Sequence, residues 1–139
     1  MNEGFRTFDH TGDLGLEVWA ETPRRLYALA AEALLAQVAE AGPGAPEVGI
    51  ALDLEGEDPA DLLVHWLNTA LLESELKRAV WTRAEVASLS PHALSASLSG
   101  PRRDPQRQVF LREVKAVSHH FLALDLEAKH CRCRVILDI

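Results

Sequence analysis

From Leu14 to Val18 the chain alternates Leu14, Leu16 and Val18 with Gly15 and Glu17, the period-two pattern of a strand with one buried face. Thr22-Pro23 then supplies a cap and a proline suited to the first helical position. Leu26, Leu29, Ala30, Ala33, Leu34 and Val38 recur at helical spacing until Gly42-Pro43-Gly44 stops the run. Val48, Ile50, Leu52 and Leu54 alternate with Gly49, Ala51, Asp53 and Glu55, which predicts a half-buried strand. Asp58-Pro59 opens a second helix, with Leu62, Leu63, Trp66, Leu67 and Leu71 facing inward. From Trp81 onward alternation repeats: Leu94, Ala96 and Leu98 against Ser95, Ser97 and Ser99, then residues 109–117, 121–126 and 131–137. The order strand, helix, strand, helix, four strands predicts an α+β protein with two helices packed on a mixed, mostly antiparallel sheet.

The last strand carries the most information. Cys131, Cys133, Val135 and Leu137 share an apolar register, so they are expected on the core face, and Arg132, Arg134, Ile136 and Asp138 on the opposite, charged face. The two cysteines lie two apart in a strand, with Cα atoms about 6.7 Å apart, near the limit for bridging, so free buried thiols are expected. The stretch Ser99-Gly100-Pro101-Arg102-Arg103-Asp104-Pro105-Gln106-Arg107 reads as a solvated loop.

Composition narrows the class. With 139 residues, 47% of them hydrophobic and 25% charged, one domain over 1–139 with a real core is expected. No apolar run approaches the roughly 20 residues that span a bilayer, and Met1-Asn2-Glu3-Gly4 lacks the layout of a signal peptide, so no membrane contact and a cytoplasmic location are expected. A net charge of −7 argues against sequence-independent binding of nucleic acid by this chain alone, and any RNA is expected to be held by a partner.

The candidate chemistry lies at the two ends of the chain. Asp138 and the α-carboxylate of Ile139 are adjacent, and Asp13 stands at the mouth of the first predicted strand. If the terminal strands pair, three carboxylates converge, and an all-oxygen cluster suits a hard cation such as calcium, magnesium or manganese. The alternative is ordinary strand-end charge in water. In the alternation of 109–117, Lys115 falls on the polar side, free either to offset the carboxylates, to contact a phosphate or to form a cross-strand ion pair. His10 precedes Asp13 closely enough to orient a carboxylate, and His120 could do the same from the neighbouring segment, with a hydrogen-bonded structural role as the alternative for either. His65 is expected at the surface, and His92 and His130 show no partner. No phosphate loop of the Walker type, no nucleophile elbow and no zinc spacing around the cysteines is present, so an accessory role is more natural than a self-sufficient enzyme.

Four stretches occur together in order: His10-Thr11-Gly12-Asp13, Leu62-Leu63-Val64-His65-Trp66-Leu67-Asn68, Val114-Lys115-Ala116-Val117-Ser118-His119-His120 and Ile136-Leu137-Asp138-Ile139. Over nearly its whole length the chain resembles the archease family. It departs from the usual motifs at Gly12, where the family has Ala, and at Ser118 and His119, where it has Thr and Tyr. The resemblance implies an elaborated strand-helix-strand-strand module. It implies metal ligation by Asp13, Asp138 and the terminal carboxylate of Ile139, with calcium favoured and magnesium or manganese as alternatives, and a functional Lys115 nearby. It also implies a non-enzymatic protein that activates the RtcB-type tRNA-splicing RNA ligase, promoting its guanylylation and multiple turnover and meeting tRNA only through the ligase. Two other classes use the same residues: a stand-alone metal-dependent phosphohydrolase, and a chaperone-like interaction module whose metal ties the termini together.

Overall fold

A computed structural model describes residues 2–127 and 129–139. Helix α1 spans Pro23–Val38, and its N-cap is Thr22, whose hydroxyl accepts the Arg25 N–H at 3.2 Å. Helix α2 spans Pro59–Leu76, and the Asp58 carboxylate accepts the Asp61 N–H at 2.8 Å. Both helices begin with proline, as the sequence predicts. Their buried faces include Leu26, Leu34, Leu62, Trp66 and Leu67.

Among the described residues the strands are β1 (Gly4–His10), β2 (Asp13–Ala20), β3 (Ala39–Glu40), β4 (Val48–Glu55), β5 (Arg83–Leu89), β6 (Ala93–Gly100), β7 (Val109–Phe110), β8 (Ala116–Asp125) and β9 (Cys131–Asp138). They divide into a four-stranded sheet of order β1-β2-β9-β8, a three-stranded sheet β4-β6-β5 and the pair β3-β7, and the pairings are antiparallel. Helix α1 packs on β2 and β5 and α2 on β8 and β4, so the helix pair touches both large sheets. The architecture is α+β.

Buried aromatic side chains keep their polar atoms paired. The Trp66 indole donates to the Tyr27 carbonyl at 2.8 Å, the Trp81 indole to Ala70 at 3.1 Å, and the Tyr27 hydroxyl to Pro59 at 2.6 Å. Cys131, Cys133, Val135 and Leu137 lie on the core face, both thiols are free, and burial pushes the Cys133 thiol up to about 12.

Three elements differ from the sequence reading. The edge strand β1 was not expected, since Phe5, Arg6 and Thr7 are all exposed and show no alternation of burial. The predicted run 109–117 divides into β7 and the start of β8, and 121–126 continues β8 through a break in register. Ile136 is buried at 4% exposure although its register sends it to the outer face. In its row Phe8 lies over Gly15, where a Cβ would fall 2.2 Å from the ring, so the outer face here is apolar.

Candidate functional site

The sequence His10-Thr11-Gly12-Asp13 is the turn that joins β1 to β2. Thr11 and Gly12 adopt φ of 26° and 85°, the left-handed conformation of a two-residue hairpin, and His10 pairs with Asp13. At position 12 glycine meets that demand without strain.

The register of β2 with β9 runs to Leu14 opposite Leu137, and one further step sets Asp13 opposite Asp138. On the other side of β9, Ala116 pairs with Asp138, and the Lys115 N–H donates to the Asp138 carbonyl at 2.7 Å. His10, Asp13 and Asp138 therefore share one row across the end of the four-stranded sheet. Alternation directs this row to the outer face, because Leu14 and Leu137 face the core. Asp138 and Ile139 are exposed and Asp13 is half-buried. Lys115 is exposed, and no ion pair of its ammonium occurs among the described residues.

Among the described residues no three His, Cys, Asp or Glu side chains stand close enough to hold a metal ion. The donor set still fits a hard cation. Its two aspartates stand opposite each other in one row, and their carboxylates have no hydrogen-bond or ion-pair partner among the described residues.

The two candidate histidines gather around Phe121, which the sequence reading placed in a strand without a role. The His10 and Phe121 rings meet edge to face at 5.2 Å, and the His120 ring lies 4.1 Å from Phe121. His10 Nδ1 is buried with no hydrogen-bond partner among the described residues. The Ser118 hydroxyl accepts the His120 N–H at 2.9 Å, and His119 Nε2 lies 3.3 Å from the Asp61 carboxylate. The Glu57 N–H and then His119 hold the Asp61 carboxyl below the usual carboxylate range. His65 is exposed with Nδ1 2.8 Å from the Glu55 carbonyl, a surface role as expected.

On the same outer face, Arg6 and Arg134 lie 2.9 and 3.2 Å from the Glu17 carboxylate, and Arg134 also covers the Phe8 ring at 5.2 Å. Desolvation is the largest single influence on Glu17 and opposes its charge, but the two guanidiniums together outweigh it and lower its pKa. Two of the three loop arginines are engaged internally: Arg103 donates to the Ser74 hydroxyl at 2.9 Å and Arg107 to Glu47 at 2.8 Å. A cleft of about 420 Å³ opens between α2 and the β7–β8 segment, with Leu71, Glu75, Phe110 and Val114 among its walls and none of Asp13, Asp138 or Ile139.

A small α+β protein with a carboxylate row at one sheet end is thus defined. Residues 5–139 match the archease protein family (MTH1598/TM1083), and the chain belongs to that family. It is 29% identical to the protein archease of Methanopyrus kandleri over 134 residues, covering 94% of this chain and 96% of the relative. It is 25% identical to the protein archease of Methanosarcina acetivorans over 139 residues, covering 97% and 95%. The solution structure of Methanobacterium thermoautotrophicum protein 1598 has a similar fold, with a TM-score of 0.80, 22% identity and coverage of 98% and 99%. No helix among the described residues is long and apolar enough to cross a membrane.

Proposed function

We propose that this chain is a cytoplasmic accessory protein, not itself an enzyme, that activates a GTP-dependent RNA ligase of the RtcB type. It promotes guanylylation of the ligase and repeated turnover, and meets tRNA only through the ligase. Family membership supports the accessory role. The observation that carries the reading is the row at the sheet end, where Asp13 stands one register step from the Leu14–Leu137 pair and Lys115 is tied by its backbone to Asp138.

Asp13, Asp138 and the α-carboxylate of Ile139 would hold a divalent cation, calcium first and magnesium or manganese next. Such a cation supplies charge neutralisation for a nucleoside triphosphate and its leaving pyrophosphate. The exposed Lys115 ammonium is free to contact a phosphate oxygen of the nucleotide held by the ligase. His10, cross-strand from Asp13, and His120 steady the surroundings of the carboxylates.

Catalytic amounts of the protein, added to a cognate ligase with GTP and RNA ends, are expected to raise both the rate of guanylylation and the turnover number. The protein alone is expected neither to hydrolyse GTP nor to join RNA. Ligase progress curves that stay unchanged over a range of protein concentrations would defeat the proposal, and GTP hydrolysis by the isolated chain would favour a phosphohydrolase.

A further inference from the structure

Phe121 occupies a position from which the free chain gains little. The β8–β9 register stops at Ser118 opposite Ile136 and resumes at Ala123 opposite Arg134, so residues 119–122 stand against Val135 alone. In this bulge Phe121 adopts φ of 57°, a left-handed conformation unfavourable for a bulky side chain, yet its surface is 62% exposed. Glycine would take the same backbone conformation without strain.

The bulge has a direction. Strands β1 and β8 are the two edges of the sheet, so the contact between the His10 and Phe121 rings bridges the two central strands. His10 also pairs with Asp13, which brings the exposed ring beside the carboxylate row. Ile139, 41% exposed, adds a second apolar side chain at this end. Three carboxylates outweigh the charge of one divalent cation, so the row stays anionic with its site filled, and an apolar anchor beside it complements a protein surface with an apolar pocket next to positive charge.

We infer that Phe121 is an aromatic anchor that inserts into an apolar pocket of a protein partner, beside a cationic cleft that receives the carboxylate row with its cation. For the identity of that partner the inference rests on the ligase reading above. In the bound state the ring would gain the burial that it lacks in the free chain, and its strained backbone would already be set for insertion.

The test compares the native chain with Phe121→Gly and Phe121→Tyr, using calorimetric titration against the cognate ligase and thermal melting of each chain alone. Phe121→Gly is expected to melt no lower than the native chain while its Kd for the ligase rises by about tenfold or more. Phe121→Tyr is expected to bind with nearly native affinity. A native Kd for Phe121→Gly would overturn the anchor and leave the ligase reading standing. Weakened binding together with a lowered melting temperature would also overturn it, since the ring would then be a support of the bulge. A native chain that does not bind the ligase would overturn both readings.

Discussion

Lys115 is fixed by its backbone and free at its charge. Its N–H donates to the Asp138 carbonyl at 2.7 Å while its side chain is exposed, so truncating the side chain leaves the strand junction intact. Lys115→Ala is expected to change stability by less than about 0.5 kcal/mol and to lower ligase activation by about tenfold or more, the scale of losing one positioned charge at a phosphate. Melting curves and guanylylation rates on the same preparation separate the two effects. Equal loss of both, or full activation by the variant, would make Lys115 a structural residue. The burial of the two cysteines was legible from alternation, whereas Lys115 lies between β7 and β8 rather than in the alternating strand expected over 109–117, so its exposure has another cause. The burial of Ile136 was not legible, because alternation assigns a face but says nothing of what covers it. Here the neighbouring Gly15 lets Phe8 lie flat, and Gly4 does the same for Trp19, whose ring would stand 2.8 Å from an added Cβ. These glycine–aromatic pairs are set by cross-strand register, and β1, which supplies half of each, was absent from the sequence reading.

The element that sets the site's geometry is β8, and α2 holds it in place. The Asn68 side chain donates to the Val117 carbonyl at 3.0 Å and accepts the Val117 N–H at 2.8 Å, acting as a short substitute for a neighbouring strand. Val117 is buried at 3% exposure, so removing the amide leaves two backbone groups unpaired in the interior. Asn68→Ala is therefore expected to destabilise the fold by about 1–3 kcal/mol. It is also expected to speed amide exchange at Val117 ahead of global unfolding. Denaturant titration and hydrogen exchange check this, and unchanged protection at Val117 would show that water replaces the amide without loss. Helix α2 was legible from its Asp-Pro start and apolar spacing. The role of Asn68 was not, since periodicity marks which side of a helix is apolar and cannot name the backbone atoms its polar flank will meet. The bulge was hidden for a related reason. Residues 119–122 interrupt the register, and a pattern read two residues at a time passes over such an insertion.

At the scale of the molecule, a chain of net charge −7 brings two aspartates from opposite ends of its sequence to one end of a sheet, and the third ligand proposed for the row is the α-carboxylate of Ile139. Like charges so placed repel unless a cation joins them, and metal affinity then depends on how many anionic oxygens are present. Adding a few residues after Ile139 converts its carboxylate into a neutral peptide carbonyl and carries the new terminal charge away, with every side chain unchanged. Strand β9 ends at Asp138 and Ile139 is exposed, so the extension should disturb folding little, whereas deleting Ile139 would also remove an apolar side chain. Divalent-ion affinity of the extended chain is expected to fall by about tenfold or more, and Asp13→Asn and Asp138→Asn are expected to act in the same direction. Calorimetric titration of the four proteins with calcium and with manganese measures this directly. If the extended chain bound as tightly as the native one, the terminus would not be a ligand. The two aspartates would then be the only anionic ligands proposed for the row, and further oxygens would have to come from water or from the phosphates of a nucleotide held by the partner.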